Sequence, residues 1–261
     1  MICREIIHVI ESSFGTEHAM EWDNVGLLTG RMDKEVKKVY LALDATDEVI
    51  GRAVWKRADM LITHHPMIFS PVKRVTDEDM AGRRILRLAR EDIACYAMHT
   101  NYDVMRMADL AAERLGFKDW GPLQVTEYME DGTRLGIGKI GRMKEGMTLQ
   151  ECCEIVKEKF ELSHVRVFGD LKKEIRLAAV CPGSGKSEIG EALQKGADVL
   201  ITGDIGHHEG IDAVSEGLAI IDAGHYGLEY IFQQDMKEFL KKNLPELEIA
   251  VEPACSPFHT V

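Results

Sequence analysis

The sequence predicts an α/β protein built from two similar halves, and three observations lead to that prediction. Short apolar runs typical of buried strands alternate with amphipathic helical runs along most of the 261 residues. The same order of elements then occurs a second time. The two occurrences share residues at a constant offset, which indicates an internal duplication. Such alternation favours mostly parallel sheets with helices packed on their faces.

The first half is expected to hold three strands and three helices after an amphipathic N-terminal helix. The strands are predicted at 39–43, 59–63 and 93–97, and the helices at 47–56, 78–90 and 105–115. Before the first of these strands, Trp22 is expected in the core. The next two residues, Asp23 and Asn24, are predicted either as turn residues or as groups that support a cleft.

The second half repeats this order of elements. Its strands are predicted at 175–181, 198–202 and 218–221, and its helices at 186–195, 206–216 and 224–241. Residues between Ile50 and Thr63 recur between Ile189 and Thr202 at the constant offset. Chance rarely gives such a match in order, so we interpret the chain as a duplication with a pseudo-two-fold relation.

The third strand of each half ends in a histidine that is followed four positions later by an acid. These pairs are His99 with Asp103 and His225 with Glu229. The repeat therefore predicts that Thr63 superposes on Thr202 and that His99 superposes on His225.

The boundary between the halves is expected near residue 122, which gives segments 1–122 and 123–261. The segment 124–171 departs from the alternating pattern and is expected to form a β-α-β extension of the second half. Strand ends of two facing halves would converge on one cleft, which is where open α/β sheets bind ligands.

Charge and composition limit the classes of partner. A net charge of −12 argues against a nucleic-acid or anionic-membrane surface. The chain has no apolar run of membrane-spanning length and no signal-peptide pattern at its start. Its six cysteines are scattered, which is typical of reduced thiols in a cytoplasmic protein. We therefore expect a cytoplasmic protein that acts on a small molecule, without nucleic-acid or membrane partners.

The adjacent residues His64 and His65 are the most informative feature of the chain. An isolated histidine pair is often only structural, but this one comes after a buried strand and precedes Pro66. Neighbouring side chains on an extended backbone point in opposite directions, so the two imidazoles can serve two metals. Imidazole with carboxylate is the ligand set of zinc, manganese, iron, nickel or cobalt. A two-metal centre indicates hydrolysis.

Two further segments carry polar groups near strand ends. The turn at 182–187 resembles a P-loop but has Val180 where that motif needs glycine. It is predicted either to hold an anionic group of a substrate or only to turn the chain from strand to helix. In the segment 204–209, Asp204 is expected to cap a helix. His99 and His208 are the candidate proton shuttles, with an exposed helix start as the alternative for His208.

Five motifs in the expected order make the chain resemble a known family. They are Trp22–Leu27, Leu61–Pro66, His99–Asp103, Thr202–Asp204 and Gly224-His225 with Glu229. The chain resembles the GTP cyclohydrolase type-two homologues, also called NIF-three-like dinuclear metal-centre proteins.

The resemblance implies two α/β halves around a site with two divalent metal ions, and a ring-shaped hexamer. It also implies that His65 and Asp103 hold one ion, that His64 and His225 hold the other, and that Glu229 bridges both. The native metal is left open.

Three functions are consistent with these residues. The leading hypothesis is a metal-dependent hydrolase of a small, nucleotide-like substrate. The alternative is a non-catalytic protein for metal binding, metal delivery or regulation. A third is an NTPase that uses the turn at 183–187. Open coordination positions favour catalysis, whereas closed metal shells favour a carrier.

Overall fold

The computed structural model describes residues 1–258, with the backbone alone at 144 and 145. The chain divides into two compact units. The first comprises Met1–Tyr102 and Phe232–Cys255, and the second comprises Asp103–Ile231 with the C-terminal residues from Ser256. The units differ from the expected halves in two segments, because 103–122 belongs to the second unit and 232–255 belongs to the first.

Strands and helices alternate along most of the chain, as predicted. The helices are α1 Cys3–Glu11, α2 Asp47–Trp55, α3 Met80–Arg90, α4 Thr100–Tyr102, α5 Ala108–Leu115, α6 Leu149–Lys159, α7 Ile189–Gln194, α8 His207–Ser215, α9 His225–Glu229 and α10 Ile231–Asn243. The strands are β1 Gly26–Thr29, β2 Lys38–Ala42, β3 Met60–Thr63, β4 Ala94–Ala97, β5 Lys118–Tyr128, β6 Arg134–Thr148, β7 Arg166–Phe168, β8 Glu174–Ser184, β9 Val199–Gly203, β10 Ala219–Asp222 and β11 Glu248–Val251. As exceptions to the alternation, β1 and β2, β5 and β6, and β7 and β8 follow one another directly. Among residues 1–258, no helix has the length and hydropathy needed to cross a membrane.

Local chemistry fixes where several of these helices begin and end. Thr46 caps α2 by accepting a hydrogen bond from the Val49 N–H, and Asp79 caps α3 in the same way through Gly82. Gly116 ends α5 in the left-handed conformation, with φ at 73°, which glycine adopts at little cost.

The first unit contains a five-stranded sheet in the order β1-β4-β3-β2-β11. Strands β2, β3, β4 and β11 run parallel, and β1 pairs with β4 in the antiparallel direction. Every residue of β3 and β4 is buried, as expected for strands covered on both faces. In register, Thr63 lies between Ala42 and Ala97. The predicted α/β class is confirmed.

The second unit contains a six-stranded sheet in the order β5-β6-β8-β9-β10-β7. Strands β8, β9 and β10 are parallel, whereas β6 and β7 pair with them in the antiparallel direction. The segment expected as a β-α-β extension of the second half supplies β6, α6 and β7. It adds strands on both sides of the parallel core. No bounds were predicted from the sequence for strands β1, β5 and β11.

The two units repeat the same backbone hydrogen bonds around their second parallel strands. The N–H of Ala58 donates to Ala53, and that of Ala197 donates to Ala192. One carboxylate oxygen of Asp59 accepts from two backbone N–H groups at the start of β2, and Asp198 does the same at the start of β8. These matched contacts support the duplication that the sequence indicates.

The predicted superposition of His99 on His225 is wrong by one residue. The Thr63 carbonyl accepts from the Met98 N–H, and the Thr202 carbonyl accepts from the Ala223 N–H. Met98 therefore corresponds to Ala223, which places His99 one position before the counterpart of His225. The reason is local, since His225 is the first residue of α9 whereas His99 precedes α4. The two histidine-acid pairs are similar in spacing but occupy different positions in the repeat.

Candidate metal centre

Three imidazoles form a cluster in the first unit. His64 and His65 come directly after β3, and His99 lies beyond β4, the neighbouring strand of the sheet. One ring nitrogen of each lies within 4.8 Å of one in the others. Their ring centroids are separated by 4.9, 5.3 and 5.6 Å. The carboxyl ends of adjacent parallel strands thus bring His99 next to the two histidines that precede it by 34 and 35 residues.

Hydrogen bonds orient the two histidines at the end of β3. His64 is fully buried, and its Nδ1 donates to the Met98 carbonyl at 2.7 Å. Because a carbonyl only accepts, the proton lies on Nδ1 and the lone pair lies on Nε2. Nδ1 of His65 is 2.8 Å from a carboxylate oxygen of Asp44. Metal-binding histidines have such partners on the ring nitrogen that does not contact the metal.

His99 is held by a buried carboxylate. Its Nδ1 lies 2.9 Å from Asp23, whose second oxygen accepts from the backbone N–H and the hydroxyl of Thr100. Burial raises the pKa of Asp23, but the hydrogen bonds from His99 and Thr100 and the charge of His99 outweigh it and lower the pKa to about 2. Asp23 is therefore a charged support for His99. Trp22, expected in the core, is exposed, because Asp23 takes the buried position next to it.

The second unit brings together Asp103, His225 and Glu229. Nε2 of His225 is 3.0 Å from the buried carboxylate of Glu229, one turn further along α9. A carboxylate oxygen of Asp103 lies within 4.8 Å of one of Glu229. Asp103 begins a π-helical turn, Asp103–Met107, and such turns occur often at functional sites.

Asp204 orients His225. Its carboxylate lies 2.7 Å from Nδ1 of His225, the same kind of contact that Asp44 makes with His65. The prediction that Asp204 caps a helix is wrong: the N-cap of α8 is Gly206, and Asp204 has a left-handed φ of 59°. Its side chain bonds His225 instead, and a carboxylate in this place raises the basicity of the imidazole.

The glycine-rich turn after β8 packs against Glu229. A Cβ placed on Gly183 would overlap the Glu229 carboxylate, and one on Gly185 would overlap the Thr202 side chain. The Gly185 N–H donates to the Thr202 hydroxyl at 2.8 Å. These contacts favour the strand-to-helix interpretation of this turn. Gly183 permits the close approach of Glu229. The Gly185 N–H, which a bound anion would need as a donor, already bonds Thr202.

Cys181 lies in the same region but has the properties of a packing residue. Burial raises the pKa of its thiol well above the ordinary value, and the charges of Glu188, Asp103 and Glu229 raise it further. The thiol therefore stays protonated at neutral pH. This excludes Cys181 as an activated nucleophile.

A cavity of about 350 Å³ lies in the second unit next to the residues that flank His225. Its lining includes Asp204 and Gly224 together with His164, Arg166 and Phe258. His208, a predicted proton shuttle, is exposed in the first turn of α8, where its ring contacts that of His207. It does not line this cavity.

The donor groups of both units fit a divalent transition-metal ion. Each unit presents imidazole nitrogens, and the second adds two carboxylates, which is the ligand chemistry of zinc, manganese, iron, nickel or cobalt. Sequence reasoning missed Asp44 and did not assign partners to Asp23 and Asp204. A signal existed for Asp44, which lies just beyond a buried strand end as His64 does. Asp23 and Asp204 have no such signal, because their roles depend on contacts distant in sequence.

Comparisons with known proteins show the family of the chain. The family model for Duf34/NIF3 (NGG1p interacting factor 3) matches residues 1–260. The chain belongs to the Duf34/NIF3 family. It is 36% identical over 251 residues to the GTP cyclohydrolase 1 type 2 homolog of Streptococcus pneumoniae, with 93% of this chain and 91% of that protein covered.

Two further relatives cover the Duf34/NIF3 chain completely. The GTP cyclohydrolase 1 type 2 homolog of Clostridium perfringens is 33% identical over 265 residues, and the match covers 100% of both chains. Among solved structures, a Bacillus cereus protein related to NIF3 has a TM-score of 0.90 at 28% identity, covering 100% of this chain and 99% of that one. The family that the sequence motifs indicated is confirmed.

Proposed function

We propose that this Duf34/NIF3 chain is a metal-dependent hydrolase of a small-molecule substrate. One observation carries the proposal: three imidazoles cluster beyond strand ends of the first unit, and an imidazole and two carboxylates come together in the second. One of these imidazoles, His99, is held by the buried carboxylate of Asp23. When bound, two divalent ions supply Lewis acidity that polarises the substrate and acidifies water. The name of the relatives, GTP cyclohydrolase 1 type 2 homolog, supports a nucleotide-like substrate.

In this proposal His99 moves the proton. Asp23 accepts from Nδ1 and leaves Nε2 to take a proton from the attacking water or to give one to the leaving group. A carboxylate on the far side of the ring fixes the tautomer and stabilises the imidazolium once the proton is taken. Replacing His99 with alanine is expected to lower kcat by about a hundredfold or more. His208 remains the alternative shuttle.

The ligands of the two ions are part of the proposal. The family resemblance, rather than a distance in this structure, supplies the assignment: His65 and Asp103 would hold one ion, His64 and His225 would hold the other, and Glu229 would be shared. Elemental analysis of purified variants tests this assignment. Glu229→Ala is expected to lose both ions, and His65→Ala is expected to lose mainly one. Glu188→Gln is the matched control, because Glu188 is also a buried acid of the second unit but is not a proposed ligand. Full metal content in Glu229→Ala would contradict the bridging role.

A substrate screen tests the activity itself. Nucleotides, phosphoesters and cyclic amides are incubated with the metal-loaded protein, with His64→Ala and with chelator-treated protein. We expect slow turnover that both treatments abolish. Turnover that persists in His64→Ala would point to a contaminant. If the loaded protein holds its metals and turns over nothing in the screen, the non-catalytic metal-binding, delivery or regulatory function replaces the hydrolase.

The assembly state and location complete the proposal. The hexamer implied by the family resemblance predicts a mass six times that of the chain, which light scattering at micromolar concentration measures. A monomeric mass would contradict it. The cytoplasmic location and the lack of nucleic-acid partners stay predictions.

A further inference from the structure

Two large aromatic side chains of the first unit are exposed beside its imidazole cluster. Trp22 is 60% exposed and Phe69 is 56% exposed. Their ring centroids are 5.8 Å apart and their planes are tilted by 48°. Burying such rings is strongly favourable, so a pair left in water beside a cluster of functional groups indicates a binding surface.

Both rings contact His99, the proposed proton shuttle. The centroid of His99 lies 6.0 Å from that of Trp22 and 6.5 Å from that of Phe69, with interplanar angles of 74° and 70°. The ring of His99 is therefore steeply inclined to both aromatic rings. The aromatic pair and the imidazole cluster form one continuous surface, with an apolar part and a proton-transferring part.

Polar contacts tie together the two loops that carry these rings. The buried Asp23 fixes the backbone next to Trp22 through His99 and Thr100. The next residue, Asn24, donates from Nδ2 to the Ile68 carbonyl at 2.5 Å, which ties this loop to the one that carries Phe69. Loops that are ordered before a ligand binds lower the entropy lost on binding.

We infer that Trp22 and Phe69 form a platform that binds a planar heteroaromatic ring of the substrate, of the nucleobase class. The inference rests on the proposed function, because it names the substrate class of the same site. Aromatic side chains bind flat rings by stacking and tolerate differences in the polar substituents of the ring. The platform holds the ring next to His99, so the bond that is hydrolysed lies on the ring or on a group attached to it.

Equilibrium dialysis with the metal-free protein tests the platform without any turnover. The probes are guanosine, adenosine and uridine, and ribose serves as the probe without a ring. Trp22→Ala and Phe69→Ala are each expected to weaken nucleoside binding by between about fivefold and about a hundredfold. Trp22→Phe, which keeps an aromatic ring, is expected to retain most of the affinity. Ribose is expected to bind weakly to every variant.

Trp55→Ala is the matched control. Trp55 is 75% exposed on α2 of the same unit, where its ring lies under the Lys56 ammonium. Its loss is expected to leave nucleoside binding unchanged. Circular dichroism and light scattering accompany each variant, so that unfolding or a change of assembly is recognised.

Three results would overturn the platform. They are unchanged nucleoside binding in both folded alanine variants, ribose binding as tight as nucleoside binding, and no saturable binding of any nucleoside to the wild type. If light scattering shows a smaller assembly for Trp22→Ala while its nucleoside affinity is unchanged, the rings belong to a contact between copies of this chain instead. Failure of the substrate screen leaves this measurement intact, because dialysis requires neither metal nor catalysis.

Discussion

The two units share a frame of three parallel strands and differ in the residues at the carboxyl ends of those strands. In the first unit, Asp44 lies just beyond β2, and His64 and His65 lie just beyond β3. Counted along the shared register, the corresponding positions of the second unit are Gly183, Gly203 and Asp204. Two glycines thus stand where the first unit has an acid and an imidazole. Strand β8 also bulges here, between Val180 and Ser184.

The glycines of the second unit make room for donors that arrive from a helix. A Cβ on Gly183 would overlap Glu229, and one on Gly203 would overlap the backbone of His225. The first unit takes two of its imidazoles from a strand end, whereas the second takes its imidazole and one carboxylate from α9. Two similar sheets thus present imidazoles near the same edge, but the donor residues occupy different positions in the two units.

The antiparallel edge strands differ as well. Before β1, Asp23 reaches across to His99 beyond the end of β4, so an acid supports an imidazole. In the second unit, Arg166 of β7 bonds Asp222 at the end of β10, so a cation holds an acid. Asp222 also accepts from the Ile205 and Gly224 N–H groups, which fixes the loops on either side of it. This link is structural, whereas Asp23 supports the proposed proton shuttle.

The largest effect is expected from filling the space between Gly183 and the Glu229 carboxylate in the second unit. Gly183→Ala places a methyl group on the Glu229 carboxylate at a residue with φ of 78°. We expect a loss of about 2 to 4 kcal/mol in the free energy of unfolding and a loss of bound metal. Chemical denaturation and elemental analysis measure the two quantities.

The control for this variant is Gly196→Ala. Gly196 has a similar φ of 71°, and its Cβ would meet no atom within 4 Å. Only backbone strain is expected there, of about 1 kcal/mol, with full metal content. Equal losses in the two variants would show that conformation alone explains Gly183, and the steric part of the comparison would fail.

The next effect is expected at Asp23, the acid that supports His99 in the first unit. Asp23→Asn keeps the shape and removes the charge. The pKa of Asp23 falls from an ordinary 3.8 to about 2 on folding, which corresponds to about 2 kcal/mol of stability at neutral pH. Because the pKa is lowered by folding, this contribution is complete above pH 4 and is lost as the pH falls towards 2.

Denaturation of metal-free protein at several pH values measures that contribution. The difference between wild type and Asp23→Asn is expected to be about 2 kcal/mol at pH 7 and to shrink steadily below pH 4. Asp33→Asn, at an exposed acid of the same unit, serves as the control and is expected to change little. A difference that is constant from pH 7 to pH 3 would contradict the lowered pKa of Asp23 in the folded protein.

Periodicity made most of this fold predictable. The buried strands β3 and β9 and the helices after them were placed within a residue or two, since apolar runs and helix caps are local signals. Strand β11 was missed, because its pairing with β2 depends on a partner two hundred residues earlier. The one-residue shift between His99 and His225 was missed because spacing does not reveal hydrogen-bond register.

The candidate site was predictable to a smaller extent. Strand-end histidines are visible in sequence, and the imidazole cluster of the first unit contains His64, His65 and His99. Their carboxylate partners were less accessible to sequence reasoning, since Asp23 reaches His99 across 76 residues. Trp22 was misplaced because an aromatic residue near a strand is usually in the core.

A smaller effect is expected where the two units are alike, at the acids that orient His65 and His225. Asp44→Asn and Asp204→Asn are each expected to lower metal affinity by about tenfold to a hundredfold, because each acid fixes one imidazole. Titration calorimetry with zinc or manganese measures the affinity. Asp47→Asn, at an acid of α2 that bonds Arg84, is the control. If only one of the two variants binds metal more weakly, the units differ in function as well as in sequence.

The smallest effect is expected at Asp59 and Asp198, the acids that make the same contacts in both units. One oxygen of Asp59 accepts from the N–H groups of Lys37 and Lys38, at 2.8 and 2.9 Å. One oxygen of Asp198 accepts from those of Arg176 and Leu177, both at 2.9 Å. Asparagine keeps an acceptor oxygen but loses the charge that strengthens both bonds. Asp59→Asn and Asp198→Asn are therefore each expected to cost about 0.5 to 1 kcal/mol of unfolding free energy.

The two losses are expected to be equal in size, because the two acids have the same role, and to add in the double variant. Additivity is expected because Asp59 and Asp198 bond no common residue, and the sum should hold within about 0.5 kcal/mol. Urea denaturation of the two single variants and the double variant measures this. If the units unfold in separate transitions, each substitution is expected to shift only the transition of its own unit. Losses that differ by more than about 1 kcal/mol would show that the shared hydrogen bonds no longer have the same energetic role.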